Sequence, residues 1–328
     1  MKIYFFWPFK NENKPSACIS ILSSSADWRD PTAVPSESYE FYTALEKMED
    51  IKLVNSFNEA DFIIYMMDLY NCYNMSHYNN NLNIEDVINL KNNKEYKKTI
   101  VIDYNDWIDT RNVPEDKLML INKYFKRSMV KKEKGISKEI IKYSREIIPI
   151  LYGIRSDFIE YDKKFEFIKY NYDICCMFPM FNGGGGFRSI IPNIVNKYPG
   201  KKFIGRVDCH NRYGVVSTEY FKILKTSKII VTANPTNWEG DFRLWEALLM
   251  GNLVLCDKML LPSKIKYPLE NKKHLVYYSN PEELEYLINY YMNNETERNK
   301  IAKEGRDYCL KYHKFSDRVL EVLSNIKY

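Results

Sequence analysis

Residues 227–256 read SKIIVTANPTNWEGDFRLWEALLMGNLVLC, which places a strand-length apolar run, a polar loop, a helical segment and a second apolar run in direct succession. The helical segment covers residues 242–250, and Gly251 is a typical helix stop. Arg243 and Glu246 lie three positions apart and share one face of this otherwise apolar helix. A strand followed by a helix and another strand predicts a parallel α/β sheet, and ligands bind such sheets at the carboxyl ends of the strands.

The same alternation continues through the chain. Apolar runs of strand length occur in the first half at Ile3–Trp7, Phe62–Met67, Thr99–Asp103 and Ile147–Leu151. They recur in the second half at Ile174–Phe178, Lys202–Val207, Lys228–Thr232, Leu253–Cys256 and His274–Tyr278. We predict helices that begin near Glu37 and that cover Phe187–Lys197, Thr218–Thr226 and Phe242–Met250, and a helical tail in which Ser279 is the cap and Glu282 completes a capping box.

The length of 328 residues suits two α/β domains of ordinary size. The segment 156–172 is charged and aromatic without a clear period, so we predict the connection there. Residues 1–155 then form the N-terminal Rossmann-like domain. Residues 173–328 form the C-terminal one, which includes the terminal helices.

Composition favours a protein that stays in the cytoplasm. No apolar run approaches the ~20 residues that a membrane-spanning helix requires. Seven cysteines without a CxxC spacing indicate a reducing compartment. The net charge of +5 is spread over many lysines, which does not indicate a nucleic-acid partner. The richness in Lys, Asn, Ile and Tyr is typical of an AT-rich genome, such as that of a large DNA virus, whose protein would act in the host cytoplasm, or of a bacterium.

The string Arg-x-x-Glu-Ala-Leu-x-x-Gly at residues 243–251, followed by a hydrophobic strand, resembles the donor-site signature of GT-B glycosyltransferases, including group 1 and exostosin-like members. The resemblance implies two Rossmann-like domains whose parallel sheets face a central cleft, with the acceptor on the first domain and the nucleotide sugar on the second. It assigns Glu246 to the ribose hydroxyls and Arg243 to the diphosphate or the donor sugar. One common group 1 pattern has two glutamates eight positions apart, whereas Glu239 and Glu246 are seven apart.

A glycine-rich segment, residues 182–188 (NGGGGFR), follows a predicted strand and leads into a predicted helix. The backbone N–H groups of Gly184 and Gly185, together with Arg188, are candidates to hold a diphosphate. The same four glycines are also compatible with a simple flexible connection. Our candidate donor-site residues are Gly184, Gly185, Arg188, Arg206, Asn234, Glu239, Asp241, Arg243 and Glu246.

Carboxylates after the predicted strands of the first domain are candidates for a catalytic base. Asp27 and Asp30 follow the first strand, and Asp106 follows the strand that ends at Asp103. A base needs hydrogen-bond reach to the acceptor hydroxyl and no particular spacing in sequence. Capping or turn formation is the ordinary role of such loop aspartates, so both interpretations stay open.

No Asp-x-Asp occurs in the sequence, which argues against a donor diphosphate carried on a cation in the GT-A manner. The four histidines, His77, His210, His274 and His313, have no metal-ligand spacing. We therefore expect no metal site and no permanently bound cofactor.

These observations predict a metal-independent glycosyltransferase that moves a hexosyl or pentosyl group from a nucleotide-diphosphate sugar to an oligosaccharide or glycan acceptor. UDP is favoured over GDP, and inversion is slightly favoured over retention. A sugar-nucleotide epimerase of the same fold and a non-catalytic GT-B-like protein that binds a carbohydrate or a partner remain the alternatives.

Overall fold

The computed structural model describes residues 1–6, 37–67, 97–104, 121–127, 147–166, 169–177, 187–207, 216–234, 240, 242–259, 261 and 264–326. Within these ranges two parallel sheets are flanked by helices, which confirms the predicted α/β class. None of the helices in these ranges has the length and apolarity needed to cross a membrane.

The first sheet has six parallel strands in the order β2-β1-β3-β4-β5-β6. Its strands are β1 (Lys2–Phe6), β2 (Lys52–Leu53), β3 (Phe62–Met67), β4 (Thr99–Asp103), β5 (Lys123–Lys126) and β6 (Ile147–Pro149). Helix α1 covers Glu37–Glu46 between β1 and β2. The four strands predicted in this half are present, whereas β2 and β5 were not predicted.

The second sheet has five parallel strands in the order β11-β10-β9-β7-β8. Its strands are β7 (Tyr172–Met177), β8 (Lys202–Gly205), β9 (Ser227–Thr232), β10 (Leu253–Asp257) and β11 (Val276–Tyr278). The strand order reverses between β7 and β9, because the chain adds β8 on one side of β7 and β9 on the other. Ligands of doubly wound sheets bind outside the carboxyl ends of the strands at such a switch point.

Seven further helices follow α1 in the described part of the chain. They are α2 (Ser156–Lys164), α3 (Ile191–Lys197), α4 (Thr218–Lys225), α5 (Phe242–Met250), α6 (Pro281–Asn293), α7 (Glu295–Tyr312) and α8 (Phe315–Asn325). Apolar side chains of α3 and α6 form a cluster on one face of the second sheet. Those of α4 and α5 belong to a second cluster, which continues into the core of the first sheet. The helices α4 and α5 therefore lie on the side of the second sheet that is joined to the first.

Helix α5 has the bounds predicted from its apolar periodicity. Every residue from Leu244 to Met250 is buried. Gly251 has a φ of +77°, the left-handed conformation that stops a helix and that only glycine adopts without strain. Strand β10 begins two residues later, so the glycine sets the short return to the sheet.

Residues 156–164 of the predicted connection 156–172 form α2, and the position of the connection stays a prediction. Two local predictions need correction. The predicted helix from Phe187 starts as a 3-10 turn, and its α-helical part begins at Ile191. The cap of α6 is Asn280 rather than Ser279, since the Asn280 side chain accepts from the Glu283 N–H at 2.7 Å.

The chain passes between the two sheets twice. After β6 it runs through residues 150–155 to α2, and at the end it returns with α8, which packs on α1. The two passages touch: the Ile154 N–H donates to the His313 carbonyl at 2.7 Å, and the Phe315 N–H donates to the Ile154 carbonyl at 2.9 Å. These bonds tie the last helix to the connection between the sheets.

Candidate functional site

The carboxyl edge of the second sheet is bounded by a 3-10 turn (Phe187–Ser189), by Tyr278 of β11 and by the end of β9. The guanidinium of Arg188, in the 3-10 turn that leads into α3, donates from Nε to the Ala233 carbonyl just beyond β9 at 2.8 Å. The ring of Phe187 meets that of Tyr278 edge to face at 5.3 Å between centroids. The Tyr278 hydroxyl donates to the Thr232 carbonyl at 2.8 Å. Arg188 is thereby held at the carboxyl end of β9, the position where a ligand of this sheet binds.

Asn234 is fixed by Asp257 at the same edge. The Asp257 Oδ1 atom accepts from the Asn234 N–H at 2.8 Å and from its Nδ2 at 2.9 Å, and both residues are buried. The Asn234 carboxamide thus locks the end of β9 to the end of β10. The backbone N–H and the side-chain Nδ2 of Asn234 both donate to Asp257. The role of Asn234 in donor binding stays a prediction.

Glu246 lies one turn into α5 and is only 7% exposed. Its Oε2 atom accepts a short hydrogen bond from the hydroxyl of Tyr220 on α4. A buried carboxylate is stable only when hydrogen bonds or charges compensate for its lost hydration. The bond from Tyr220 supplies part of that compensation and fixes where the carboxylate points.

The two remaining described arginines of the predicted donor set lie in different environments. Arg243 is half-buried in the first turn of α5, on the same helix face as Glu246. Arg206 is exposed and follows the edge strand β8. The structure therefore places Arg188, Arg206 and Asn234 after three adjacent strands, and Arg243 at the start of the helix that follows β9.

Seven predicted site residues lie outside the described ranges. They are Gly184, Gly185, Glu239 and Asp241 of the donor set and the candidate bases Asp27, Asp30 and Asp106. Their assignments stay predictions.

Asp103, at the end of β4, is part of a buried polar cluster. Its carboxylate accepts from the Tyr124 hydroxyl at 2.5 Å and pairs with the Lys126 ammonium at 3.3 Å. The backbone N–H of Arg127 donates to the Asp103 carbonyl at 2.9 Å. These bonds hold β4 to β5, which gives Asp103 a structural role.

Three residues of this site were missed from the sequence: Tyr220, Asp257 and Tyr278. Asp257 carried a usable signal, since it directly follows a fully apolar strand. Tyr278 was counted only as part of a strand. Tyr220 carried none, because its partner Glu246 belongs to another helix and lies 26 residues away in sequence. Within the described part of the chain, no cluster of His, Cys, Asp and Glu side chains could hold a metal ion.

Comparison with known proteins finds a family model that matches part of the chain. Residues 187–324 match a family model described as glycosyl transferase-like. No curated protein matches the chain. The matched region contains Arg188, the switch-point edge of β9 and the whole of α5.

Solved structures show the same fold at low identity. An alpha-glucosyltransferase in complex with UDP and a 13-mer DNA has a TM-score of 0.53 at 9% identity, over 99% of this chain and 98% of that one. An alpha-glucosyltransferase in complex with UDP-glucose and DNA containing an abasic site has a TM-score of 0.53 at 11% identity, over 88% and 83%. A glycosyltransferase from Rickettsia africae has a TM-score of 0.50 at 13% identity, over 98% and 97%.

Such identities carry the fold and not the substrate. With its two parallel sheets, the chain has the GT-B fold of glycosyltransferases, and its residues 187–324 are similar to the glycosyl transferase-like family.

Proposed function

We propose that this chain is a glycosyltransferase that takes a sugar from a nucleotide-diphosphate sugar, with UDP as the favoured nucleotide, and transfers it to a carbohydrate acceptor. The observation that carries the proposal is the position of Glu246. It is buried on the helix after the switch-point strand, inside the region that matches the glycosyl transferase-like family.

In this proposal the donor lies along the carboxyl edge of the second sheet. Glu246 accepts hydrogen bonds from the ribose hydroxyls, and Arg188 and Arg243 lie toward the diphosphate. The backbone N–H groups of Gly184 and Gly185 and the side chains of Arg206, Asn234, Glu239 and Asp241 complete the donor set. Arg188 supports this arrangement because its bond to the Ala233 carbonyl keeps a positive charge at the edge.

The reaction needs a catalytic base and groups that stabilise the negative charge of the leaving nucleotide. In the inverting form, a carboxylate takes the proton of the acceptor hydroxyl while its oxygen attacks the anomeric carbon. The bond from that carbon to the diphosphate breaks, and the nucleotide leaves with the added negative charge. Preorganised cations and N–H groups stabilise this charge. In the proposal Arg188 and Arg243 stabilise it without a metal ion. Asp27, Asp30 and Asp106 remain the candidate bases.

The first experiment is a thermal-shift titration with UDP, GDP, CMP and dTDP and with their sugar conjugates. A ligand that binds only the folded state raises the melting temperature. Glu246→Gln removes the charge while keeping the side-chain shape, and we expect it to weaken nucleotide binding at least tenfold. Glu219→Gln is the matched control, since Glu219 is an exposed glutamate on α4 next to Tyr220. No shift with any nucleotide, or equal shifts in both variants, would contradict the proposal.

A second experiment separates the diphosphate from the nucleoside. If Arg188 binds phosphate oxygens, Arg188→Ala should weaken UDP about tenfold and leave uridine affinity unchanged. Equal losses for both ligands would instead indicate a general structural defect.

Product analysis distinguishes the alternatives. An epimerase converts the donor without an acceptor, a transferase yields a glycosylated acceptor, and a non-catalytic protein yields neither. DNA belongs in the acceptor panel beside glycans, because two of the similar solved structures hold DNA.

A further inference from the structure

The hydrogen bond between Tyr220 and Glu246 joins two helices at the candidate donor site. Tyr220 lies on α4, is 2% exposed and donates its hydroxyl proton to Glu246 Oε2 on α5. The two helices pack against each other on the same face of the second sheet. Both partners are buried, so water competes little for this bond.

Tyr220 is itself held in place by neighbours on both sides. The ring of Phe158 on α2 meets it edge to face, at 6.2 Å between centroids. Its backbone N–H donates to the hydroxyl of Ser217, the cap of α4, at 3.3 Å. The adjacent Thr218 Oγ1 accepts from the Tyr161 hydroxyl of α2 at 2.8 Å. The connecting helix α2 and the cap of α4 therefore fix where the Tyr220 hydroxyl sits.

A fixed donor has a specific effect on a carboxylate. One oxygen of Glu246 is tied to Tyr220, which limits rotation of the carboxylate plane and stabilises its ionised form. A glutamate that binds two vicinal hydroxyls must present its oxygens in one orientation, and preorganisation removes the cost of ordering it on binding.

We propose that Tyr220 is a positioning residue for Glu246 and that it sets the preference of the donor site for ribose over 2′-deoxyribose. This role rests on the proposed function, because it requires Glu246 to hold the ribose. Tyr220 does not touch the donor in this proposal. It acts through the carboxylate that it orients.

The test compares affinities for UDP and 2′-deoxy-UDP in the full-length protein by calorimetry. Tyr220→Phe removes only the hydroxyl and keeps the ring against Phe158. The selectivity is the dissociation constant of 2′-deoxy-UDP divided by that of UDP. We expect this ratio to fall by about tenfold in the variant, which is the loss typical of one hydrogen bond to a charged group. Tyr290→Phe is the matched control, since it removes a tyrosine hydroxyl that donates to a different glutamate, Glu297, at 2.8 Å between α6 and α7.

A double-mutant cycle keeps the result independent of general damage. In the Glu246→Ala background, Tyr220→Phe should leave the ratio unchanged, because the Tyr220 hydroxyl then has no acceptor at position 246 to orient. The proposal is overturned if Tyr220→Phe leaves the ratio at the wild-type value, or if it weakens both nucleotides equally. It is also overturned if Tyr290→Phe lowers the ratio as much. Failure of the wild-type protein to bind UDP would instead remove the proposed function itself.

Discussion

Glu40 gives the clearest prediction of how the stability of this protein depends on pH. Glu40 lies on α1 and is buried, and its carboxylate accepts hydrogen bonds from Ser156, the first residue of α2. The Ser156 N–H donates to both carboxylate oxygens at 3.1 and 3.2 Å, and the Ser156 hydroxyl donates at 2.9 Å. Burial and, to a smaller extent, the charge of Asp157 raise the pKa of Glu40 to about 7, although Ser156 and Arg155 act in the opposite direction.

The sign follows from proton linkage. The folded pKa of about 7 lies above the ordinary value of 4.5, so the folded state binds more protons between these values. The stabilisation associated with the protonated carboxyl is fully present below pH 4.5 and is lost as the pH rises through 7. Between pH 5 and pH 8 these two pKa values correspond to a loss on the order of 2 kcal/mol.

Urea unfolding at pH 5, 6, 7 and 8, followed by circular dichroism, measures this loss. Glu40→Gln cannot ionise, so between pH 5 and 8 the variant should lose less unfolding free energy than the wild type, by on the order of 2 kcal/mol. Glu49→Gln, an exposed glutamate three residues beyond the end of α1, is the control and should follow the wild type. Parallel pH dependences for the wild type and Glu40→Gln would refute the reasoning.

Three further predictions concern buried groups of the second sheet and its helices. Burial and the neighbouring guanidinium of Arg318 lower the pKa of His313 to about 3, so a histidine NMR titration should find its ring neutral at pH 5, and a midpoint above 5 would contradict this. The imidazole of His313 takes up a proton below pH 6.5 in the unfolded chain but stays neutral in the folded one. The stability contributed by the neutral ring is therefore fully present above pH 6.5 and is lost as the pH falls toward 3. A Cβ at Gly305 would overlap the His274 carbonyl oxygen. Gly305→Ala should therefore lower the unfolding free energy by about 2 kcal/mol, despite the better helix propensity of alanine. Unchanged or greater stability in urea unfolding would show that α7 can shift to make room for the methyl group. Asp257→Ala should cost about 3 kcal/mol because it strips two buried donors of their acceptor, whereas a loss below about 0.5 kcal/mol, the range of surface substitutions, would mean that they find another partner.

The sequence was most informative where apolar periodicity and a stop residue agree. Helix α5 has both an apolar face and Gly251, and its predicted bounds are the observed ones. Strand β5 was missed because it reads KYFK, with a lysine at each end. Lys126 is nevertheless buried, since Asp103 of the neighbouring strand pairs with it. A charge that is compensated across strands leaves no local trace in the sequence.

The misplaced cap of α6 has a similar physical origin. Ser279 and Asn280 are both good cap residues, and each has a glutamate three positions later. Pro281 favours Asn280, because proline is best tolerated at the first helical position, directly after the cap. Ser279 still takes part, since its N–H donates to the Glu283 carboxylate at 2.7 Å. The two candidates therefore share one motif that is shifted by a residue.

Helix α5, which carries Glu246, packs against the carboxyl edge of the first sheet. The ring of Tyr152, in the connection between the sheets, lies 4.0 Å from that of Phe242, the first residue of α5. The buried guanidinium of Arg127 lies 4.2 Å from the centre of the Tyr152 ring and donates from Nε to the Tyr104 carbonyl at 2.9 Å. Tyr104 and Arg127 directly follow β4 and β5, so the carboxyl edge of the first sheet is packed through Tyr152 onto the start of α5. Breaking this contact would expose the buried ring of Tyr152, which costs free energy. The helix that carries Glu246 is therefore expected to keep its position relative to this edge.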